Sequence, residues 1–181
     1  MRPAAAAYPA AVSGEEDAPG IDPGEFRRVL GHLPTGVTVI TARDGEGPVG
    51  MTCNSFGSVS LDPPLVLFCV GRDSTTWPRL RGAGRLCVNV VAGHHGELSR
   101  TFSTRDVDRF EGVGWHDREH GVGLDDAVAW VECEVEEERE AGDHLIVIAR
   151  VRALDAREGA EPLVFYRGDF GSFRPEGEPP A

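Results

Sequence analysis

Runs of apolar and β-branched residues divide most of the chain into short strands. Residues 37–41 form one such run, and the runs at 65–70 and 86–91 predict strands that are buried on both faces. From residue 128 the pattern becomes a strict alternation, in which the apolar residues of 131–135 face one way and the glutamates of 132–136 face the other. This alternation predicts a strand with one face in water, since only one side of it can contribute to a core.

Turn and helix signals complete the pattern. Asp44-Gly45 suits a hairpin turn, the turn at 141–143 returns the chain into a strand at 144–153, and 163–166 forms a last short strand. Asp22 is a helix N-cap followed by a proline and a capping-box glutamate, and apolar residues then recur at helical spacing until Pro34. Residues 74–80, capped by Ser74, and 97–103 are further short helical candidates.

These elements predict a mainly β fold, an antiparallel barrel with a few short helices, because strands outnumber helices and no long helix alternates with them. At 181 residues the chain has the length of one domain with extensions. We place that domain at residues 21–173. The Ala-, Pro-, Gly- and Glu-rich segments 1–20 and 174–181 are predicted to be disordered.

Charge and cysteine usage narrow the classes of partner. Eighteen basic and thirty acidic side chains give a net charge of −12, which disfavours nucleic acid and anionic membranes as partners. No apolar run reaches the ~20 residues that a membrane-spanning helix needs. The four cysteines, at positions 53, 69, 87 and 133, form no CxxC pair and indicate a reduced, cytoplasmic protein. His116 and His120 are four residues apart but lack the zincin pattern, so an exposed loop and no metal site are expected.

Polar side chains are concentrated in residues 51–60, where Thr, Asn and three Ser surround single apolar residues before a double proline. Hydroxyl and amide groups at this spacing can hold an anion or a polar heterocycle. A solvent-facing loop rich in Ser and Thr is the alternative, and composition alone favours it.

Three ordered motifs stand in and before this region: Pro-Thr-Gly-Val at 34–37, Gly-Met-Thr-Cys-Asn-Ser-Phe at 50–56 and Ser-Val-Ser-Leu-Asp-Pro-Pro-Leu at 58–65. Their order resembles the flavin reductase family with the FMN-binding split-barrel fold. It continues in Ser-Thr-Thr at 74–76, Gly-Asp-His at 142–144 and Pro-Leu-Val-Phe-Tyr-Arg-Gly at 162–168. It covers residues 25–173, so it implies one split β-barrel domain.

The resemblance also implies site residues. The flavin ring and ribityl chain would contact Thr35, Gly36, Val37, Thr38, Thr52, Cys53, Asn54, Ser55, Val59 and Ser60. The flavin phosphate would be held by Ser74, Thr75 and Thr76 at a helix start, with positive charge from Arg72, Arg79, Arg81 or Arg85. Phe102, in a segment that also carries Arg109 and Phe110, would lie near the flavin, although helix residues that cap the barrel are an equal alternative.

His144 and Tyr166 would contact the nicotinamide. Without the resemblance, a turn histidine at a strand end is the simpler interpretation of His144. No arginine cluster adjoins His144 in the sequence, which mildly favours NADH over NADPH.

The implied function is an NAD(P)H-dependent flavin reductase that uses FMN or FAD. Hydride would pass directly between the two cofactors, so no catalytic acid or base is required. The resemblance further implies a homodimer and a separate flavin-dependent monooxygenase that receives the reduced flavin. Two alternatives remain: a flavoprotein that keeps FMN bound and reduces another acceptor, and a flavin-binding protein without turnover.

Overall fold

The computed structural model describes residues 20–173 as twelve strands and three helices. The predicted disordered segments 1–20 and 174–181 fall outside the described residues, apart from Gly20. In chain order the elements are α1 (Pro23–Leu30), β1 (Thr35–Gly36), β2 (Thr38–Asp44), β3 (Gly47–Cys53), β4 (Gly57–Leu61), β5 (Pro64–Gly71), α2 (Trp77–Ala83), β6 (Arg85–Val90), α3 (Gly96–Ser103), β7 (Trp115–Asp117), β8 (Val122–Leu124), β9 (Ala129–Ala141), β10 (His144–Ala156), β11 (Leu163–Tyr166) and β12 (Asp169–Ser172).

Seven strands form the main sheet, in the order β3-β2-β6-β9-β10-β5-β4, and every neighbouring pair is antiparallel. A three-stranded sheet, β1-β11-β12, and the hairpin β7-β8 complete the described part of the chain. The prediction of a mainly β, antiparallel fold with a few short helices is therefore confirmed.

Two clusters of buried side chains form most of the core. The larger lies against the main sheet and α2 and includes Phe68, Leu80 and Leu86, each without exposed surface. The second joins α3, β8 and β11 through Phe102 and Leu124.

Asn89, a fully buried amide on β6, connects these parts. Its Nδ2 donates to the Val39 carbonyl at 2.9 Å, and its Oδ1 accepts from the Leu124 backbone N–H at 2.7 Å. Because a buried amide must be hydrogen-bonded, this residue fixes β8 against the sheet.

The two strands predicted to be buried on both faces differ in outcome. β6 is buried at four successive residues, as expected for a strand at the middle of the sheet. In β5 the prediction is wrong: Val66, Phe68 and Val70 are buried, while the residues between them are only partly covered. The reason is that successive side chains of a strand point to opposite faces, and only the face of Val66, Phe68 and Val70 lies fully in the core.

A second prediction, that the Glu132 carboxylate faces water, is also wrong, because this side chain is 5% exposed. The β7-β8 hairpin folds over it, so that Arg118 Nε donates to Glu132 at 2.7 Å and the His120 backbone N–H donates at 2.8 Å. Burial alone would raise the pKa of Glu132, but these donors hold it below its ordinary value. His120 is buried with it, contrary to the predicted exposed loop.

The first helix begins as predicted, with Asp22 Oδ1 accepting from the Glu25 backbone N–H at 2.9 Å, but it ends at Leu30, before Pro34. The Glu25 side chain pairs with Arg28 instead of completing a capping box. The apolar face of α1 is also exposed to solvent within this chain, since Phe26 is 52% exposed. The second helix starts at Trp77, three residues after Ser74, whose hydroxyl accepts from the Trp77 N–H at 3.1 Å.

Candidate functional site

A cleft of about 360 Å³ opens where the ends of β3 and β5 meet the 73–76 loop and the segment after α3. We call it the inner cleft. Its lining comprises Met51, Thr52, Cys53, Asn54, Ser55, Cys69, Val70, Gly71, Asp73, Ser74, Thr75, Thr76, Phe102, Ser103, Arg105, Arg109 and His144. Nine residues predicted to bind flavin or nicotinamide thus meet at one place, although Thr52 and His144, the first and the last, are 92 positions apart.

Ser55 fixes one wall of the inner cleft. Its hydroxyl accepts from the Cys69 backbone N–H at 2.8 Å and lies 3.3 Å from the Cys69 carbonyl oxygen, so the turn after β3 is attached to β5. Thr52 similarly donates to the Ser99 carbonyl of α3 at 2.7 Å. The Asn54 amide is exposed and makes no hydrogen bond within the described residues, which leaves its donors and acceptor available to a ligand.

Four predicted flavin residues of the first strands do not line the inner cleft. Gly36 is exposed on β1, Val37 is 1% exposed in the core, and Thr38 is buried and donates to the Cys53 carbonyl at 2.7 Å. Thr35 lines a neighbouring cavity, where its Oγ is buried without a hydrogen-bond partner in residues 20–173.

Val59, Ser60 and Phe102 differ in their surroundings from the other predicted flavin residues. Val59 and Ser60 lie on β4, the edge strand, and do not line the inner cleft within this one chain. Phe102 has no exposed surface, and its ring packs beneath Gly50, where a Cβ would lie 2.8 Å from the ring. In this structure Phe102 therefore supports the wall of the cleft from the core.

Arg109 supplies the cation at the hydroxyl-rich end of the inner cleft. Its Nη1 donates to Thr76 Oγ at 2.7 Å and to the Gly50 carbonyl at 2.7 Å, and Nε and Nη2 donate to the Thr104 carbonyl. All these acceptors are uncharged, and burial lowers the pKa of Arg109 from its ordinary value. Ser74 and Thr75 line the cleft beside it.

The four arginines proposed from the sequence are paired elsewhere. Arg79 contacts Asp44 at 2.7 Å, Arg81 contacts Glu138 at 2.9 Å, and the partners of Arg72 and Arg85 are Glu140 and Glu134. The sequence did not indicate that Arg109 is the cation at this end of the cleft, because it lies more than thirty positions after Ser74. The only signal for it was the resemblance of the segment that contains Phe102 and Phe110.

A larger cavity of about 910 Å³ adjoins the inner cleft, and Asn54 and His144 line both. We call it the outer cavity. It is bounded by α1 and by the β11-β12 turn, and its lining comprises Gly24, Phe26, Arg27, Arg28, Leu30, Gly31, His32, Leu33, Thr35, Asn54, His144, Phe165, Arg167 and Gly168. No acidic side chain is among these described lining residues. Glu25 pairs with Arg28, so the positive charge of the lining comes from Arg27 and Arg167, in a chain with a net charge of −12.

His144 lies at the rim between the inner cleft and the outer cavity. Its Nδ1 is 2.8 Å from Asp143 Oδ1, and hydrogen bonding to this histidine holds the pKa of Asp143 below its ordinary value. No arginine cluster adjoins His144 in the sequence, but in the folded chain Arg27 and Arg167 line the same cavity as His144. Tyr166 does not line that cavity; its ring lies nearly perpendicular to that of His32, which does, at 6.3 Å between the ring centroids.

The inner cleft fits a phosphorylated polar heterocycle on its own chemistry. Hydroxyls and a half-buried arginine with uncharged partners stand at one end, and an unpaired amide and a histidine stand at the other. Within residues 20–173 no group of three His, Cys, Asp or Glu side chains is arranged to hold a metal ion. None of the three described helices has the length and apolar character needed to cross a bilayer.

Comparison with known proteins identifies the family. The family model described as "Flavin reductase like domain" matches residues 30–174. This chain belongs to the flavin reductase-like family. A flavin reductase of Pseudomonas putida is 44% identical over 155 residues, which cover 84% of this chain and 91% of the relative. The reductase subunit HsaB of a Mycobacterium tuberculosis flavin-dependent monooxygenase is 40% identical, covering 89% of this chain and 88% of the relative.

Solved structures give the same result. The NADH:FAD oxidoreductase SgcE6 of Streptomyces globisporus, in complex with NAD and FAD fragments, matches with a TM-score of 0.81 and 38% identity, covering 89% of this chain and all of that one. The predicted family and the split-barrel fold are confirmed, and so is the predicted activity: this member of the family is an NAD(P)H:flavin oxidoreductase.

Proposed function

We propose that this flavin reductase binds flavin in the inner cleft, with its phosphate against Ser74, Thr75, Thr76 and Arg109. Arg109 is the observation that carries the proposal, because a half-buried guanidinium whose partners are all uncharged retains its affinity for an anion. The polar edge of the ring then faces Asn54, whose amide has no hydrogen bond within the described residues.

The reduced nicotinamide approaches from the outer cavity. His144 stands between the two sites and is available to orient a ligand that spans them. Arg27 and Arg167 offer positive charge to the phosphates of a dinucleotide. NADH is the proposed donor, because two relatives carry NADH in their names: SgcE6, and the FMN reductase (NADH) SmoA of Agrobacterium fabrum, which is 41% identical. The cationic lining gives NADPH the same kind of support, so both dinucleotides belong in the assay.

The protein's contribution to the reaction is binding, orientation and electrostatics. Bound flavin supplies an electron-accepting ring, and the reduced nicotinamide supplies the hydride. Arg109 and the hydroxyls anchor one end of the flavin, while Asn54 and His144 restrict the other end. Close juxtaposition of two reactants is itself a large source of rate enhancement, which explains how the site can work without a catalytic acid or base.

A separate flavin-dependent monooxygenase is the proposed recipient of the reduced flavin. The HsaB relative is named a reductase subunit, and a Rhodococcus opacus relative, 37% identical, is named the reductase component of a nitrophenol monooxygenase. The inner cleft opens to solvent, which supports exchange of flavin as a substrate and disfavours permanent retention.

We also propose that the enzyme is a cytoplasmic homodimer. Leu61, at the end of the edge strand β4, is 95% exposed, and Leu154 on β10 is 71% exposed at the same end of the sheet. A second copy over this edge would remove both side chains from water, together with Val59. Four free cysteines support a reducing compartment.

Steady-state oxidation of NADH and NADPH, with riboflavin, FMN and FAD in turn, tests the function. We expect turnover only when flavin is present, and release of free reduced flavin. Turnover without flavin would overturn the proposal. A tightly bound flavin that survives gel filtration and is reduced without exchange would favour the alternative of a prosthetic FMN.

A double substitution, assayed with two flavins, tests where the flavin phosphate binds. Ser74→Ala with Thr76→Val should weaken FMN about tenfold or more, since each charge-assisted hydrogen bond contributes about 1.5–3 kcal/mol. Riboflavin, which has no phosphate, should bind as it does to the unchanged protein. Equal weakening of FMN and riboflavin binding would show that the phosphate does not bind at this loop.

A further inference from the structure

One carboxylate stands at the end of the inner cleft where the flavin phosphate is proposed to bind. Asp73 is the only acidic side chain among the described residues that line this cleft, and it directly precedes Ser74, Thr75 and Thr76 in the chain. Its side chain is 80% exposed. A carboxylate and a phosphate repel each other, so an aspartate at this position opposes the binding of an anion.

Arg105 neutralises Asp73 across the cleft. Arg105 Nη2 donates to Asp73 Oδ2 at 2.7 Å, and this hydrogen bond, together with the charge of the guanidinium, holds the pKa of Asp73 below its ordinary value. Asp73 lies on the turn after β5, whereas Arg105 lies two residues after the end of α3. The ion pair therefore joins two different walls of the inner cleft.

The ion pair of Arg105 is easy to exchange, in contrast to the contacts of Arg109. The Arg105 side chain is 59% exposed, and exposed ion pairs contribute little to stability because water screens them. Arg109 is half-buried and is fixed by hydrogen bonds to Thr76 and to two backbone carbonyls. The cleft thus has one fixed cation and one cation that can change its partner.

A flavin phosphate is a stronger partner for Arg105 than a carboxylate is. A phosphate monoester carries a charge of about −1.5 to −2 at pH 7, whereas a carboxylate carries a single charge. Its oxygens also accept two parallel hydrogen bonds from one guanidinium. Because Arg105 and Asp73 line the same cleft as Ser74 and Thr76, a phosphate held there is a rival for the guanidinium.

We propose that Asp73 competes with the flavin phosphate for Arg105. In the free enzyme the carboxylate holds the guanidinium, and when FMN or FAD binds, the guanidinium turns to the phosphate and leaves Asp73 in solvent. The broken ion pair and the carboxylate beside the phosphate both lower the net affinity. Asp73 therefore speeds the release of flavin, which a reductase that passes flavin to another enzyme requires. The inference rests on the proposed placement of the phosphate.

Calorimetric titration of Asp73→Asn with FMN and with riboflavin tests the competition. The substitution frees Arg105 and removes the repulsion, so FMN should bind about threefold or more tightly than to the unchanged protein. Riboflavin, which has no phosphate, should bind as before. The gain for FMN should shrink when salt is added, because both contributions are electrostatic. In stopped-flow dilution, FMN should leave the variant more slowly by a similar factor.

Asp117→Asn is the matched control. Asp117 is also an exposed aspartate that pairs with an arginine, Arg43, at 2.7 Å, and it does not line the inner cleft. Both substitutions remove one negative charge, so an effect of net charge alone appears in both variants. A gain in FMN affinity for Asp73→Asn that is no larger than the gain for Asp117→Asn overturns the proposal. Weaker binding of FMN and riboflavin alike would make Asp73 a direct ligand of the flavin and would also overturn it.

Arg105→Gln should have the opposite effect. Without the guanidinium, the Asp73 carboxylate faces the phosphate unneutralised, so FMN should bind about threefold or more weakly, with riboflavin unaffected. Addition of Asp73→Asn to this variant should recover part of the loss, which a double-mutant cycle measures. An unchanged FMN affinity in Arg105→Gln would show that this guanidinium does not reach the phosphate, and the competition would be wrong.

The outcomes separate this inference from the proposed function. If Ser74→Ala with Thr76→Val weakens FMN alone while Asp73→Asn changes nothing, the phosphate placement stands and only the competition is wrong. If that double substitution weakens FMN and riboflavin equally, the placement fails and the competition fails with it. Oxidation of NADH with added flavin by the unchanged protein reports on the reductase activity in either case.

Discussion

Removal of the Arg109 guanidinium should separate the binding of phosphorylated flavins from the binding of riboflavin. Arg109→Met keeps most of the length of the side chain and deletes its charge. The variant loses the bond to Thr76 and those to the carbonyls of Gly50 and Thr104. It should therefore melt at a lower temperature, because an unsatisfied buried acceptor costs about 1–3 kcal/mol.

The effect on the ligand can be worked out separately. A charge-assisted hydrogen bond to phosphate contributes about 1.5–3 kcal/mol, so the Kd for FMN should rise about 10- to 150-fold. Riboflavin should bind nearly as before. The ratio of the two affinities within one variant cancels any general loosening of the fold. Arg109→Lys, which keeps the charge but not the planar fork, should give an intermediate ratio.

Calorimetric or fluorescence titration at two salt concentrations provides the assay. FMN affinity of the unchanged protein should fall with added salt, and that dependence should shrink in Arg109→Met. Arg100→Met is the matched control, since Arg100 is an exposed arginine of α3 outside the inner cleft that pairs with Glu97 and Asp169. Equal weakening of FMN and riboflavin by Arg109→Met would refute the assignment of this residue to the phosphate.

Three further outcomes follow from the same structure. His144→Ala should raise the apparent KM for NADH and slow flavin reduction by about 5- to 150-fold, because a lost hydrogen bond that orients the nicotinamide contributes about 1–3 kcal/mol. Flavin affinity should stay unchanged. An unaltered reduction rate in stopped flow would show that His144 is a turn residue only. Burial raises the pKa of Cys87 and of Cys133 to about 12 and also raises the pKa of Cys53, whereas Cys69 is half-buried in the inner cleft. Iodoacetamide at pH 8 should therefore modify Cys69 first, FMN should slow that modification, and mass spectrometry that found Cys87 labelled first would contradict this. The hydrogen bond from Arg79 lowers the pKa of Asp44 from 3.8 to about 2, so the stabilisation is complete above about pH 4 and is lost as the pH falls towards 2. Asp44→Asn should flatten this part of the melting temperature–pH curve, and a curve parallel to that of the unchanged protein would disprove the linkage.

Local patterns in the sequence determined much of this protein. The alternation in residues 131–136 predicted a strand, the turn at 141–143 predicted a hairpin, and the order of residues at 50–65 identified the family. Each of these features depends on neighbours within a few positions, because strand period, turn geometry and sequence motifs are local properties. The family resemblance as a whole named nine residues that line one cleft in the folded chain.

Only the tertiary structure decided which charges act together. No local pattern favoured Arg109 over the arginines near Ser74, and those nearer arginines are used in ion pairs with acidic residues of other strands. Glu132 looked like a water-facing residue until the β7-β8 hairpin covered it. Arg27 and Arg167 reach the cavity of His144 from opposite ends of the chain. Electrostatic contacts depend on distance in space, and sequence separation carries almost no information about that distance when strands pair across the whole chain.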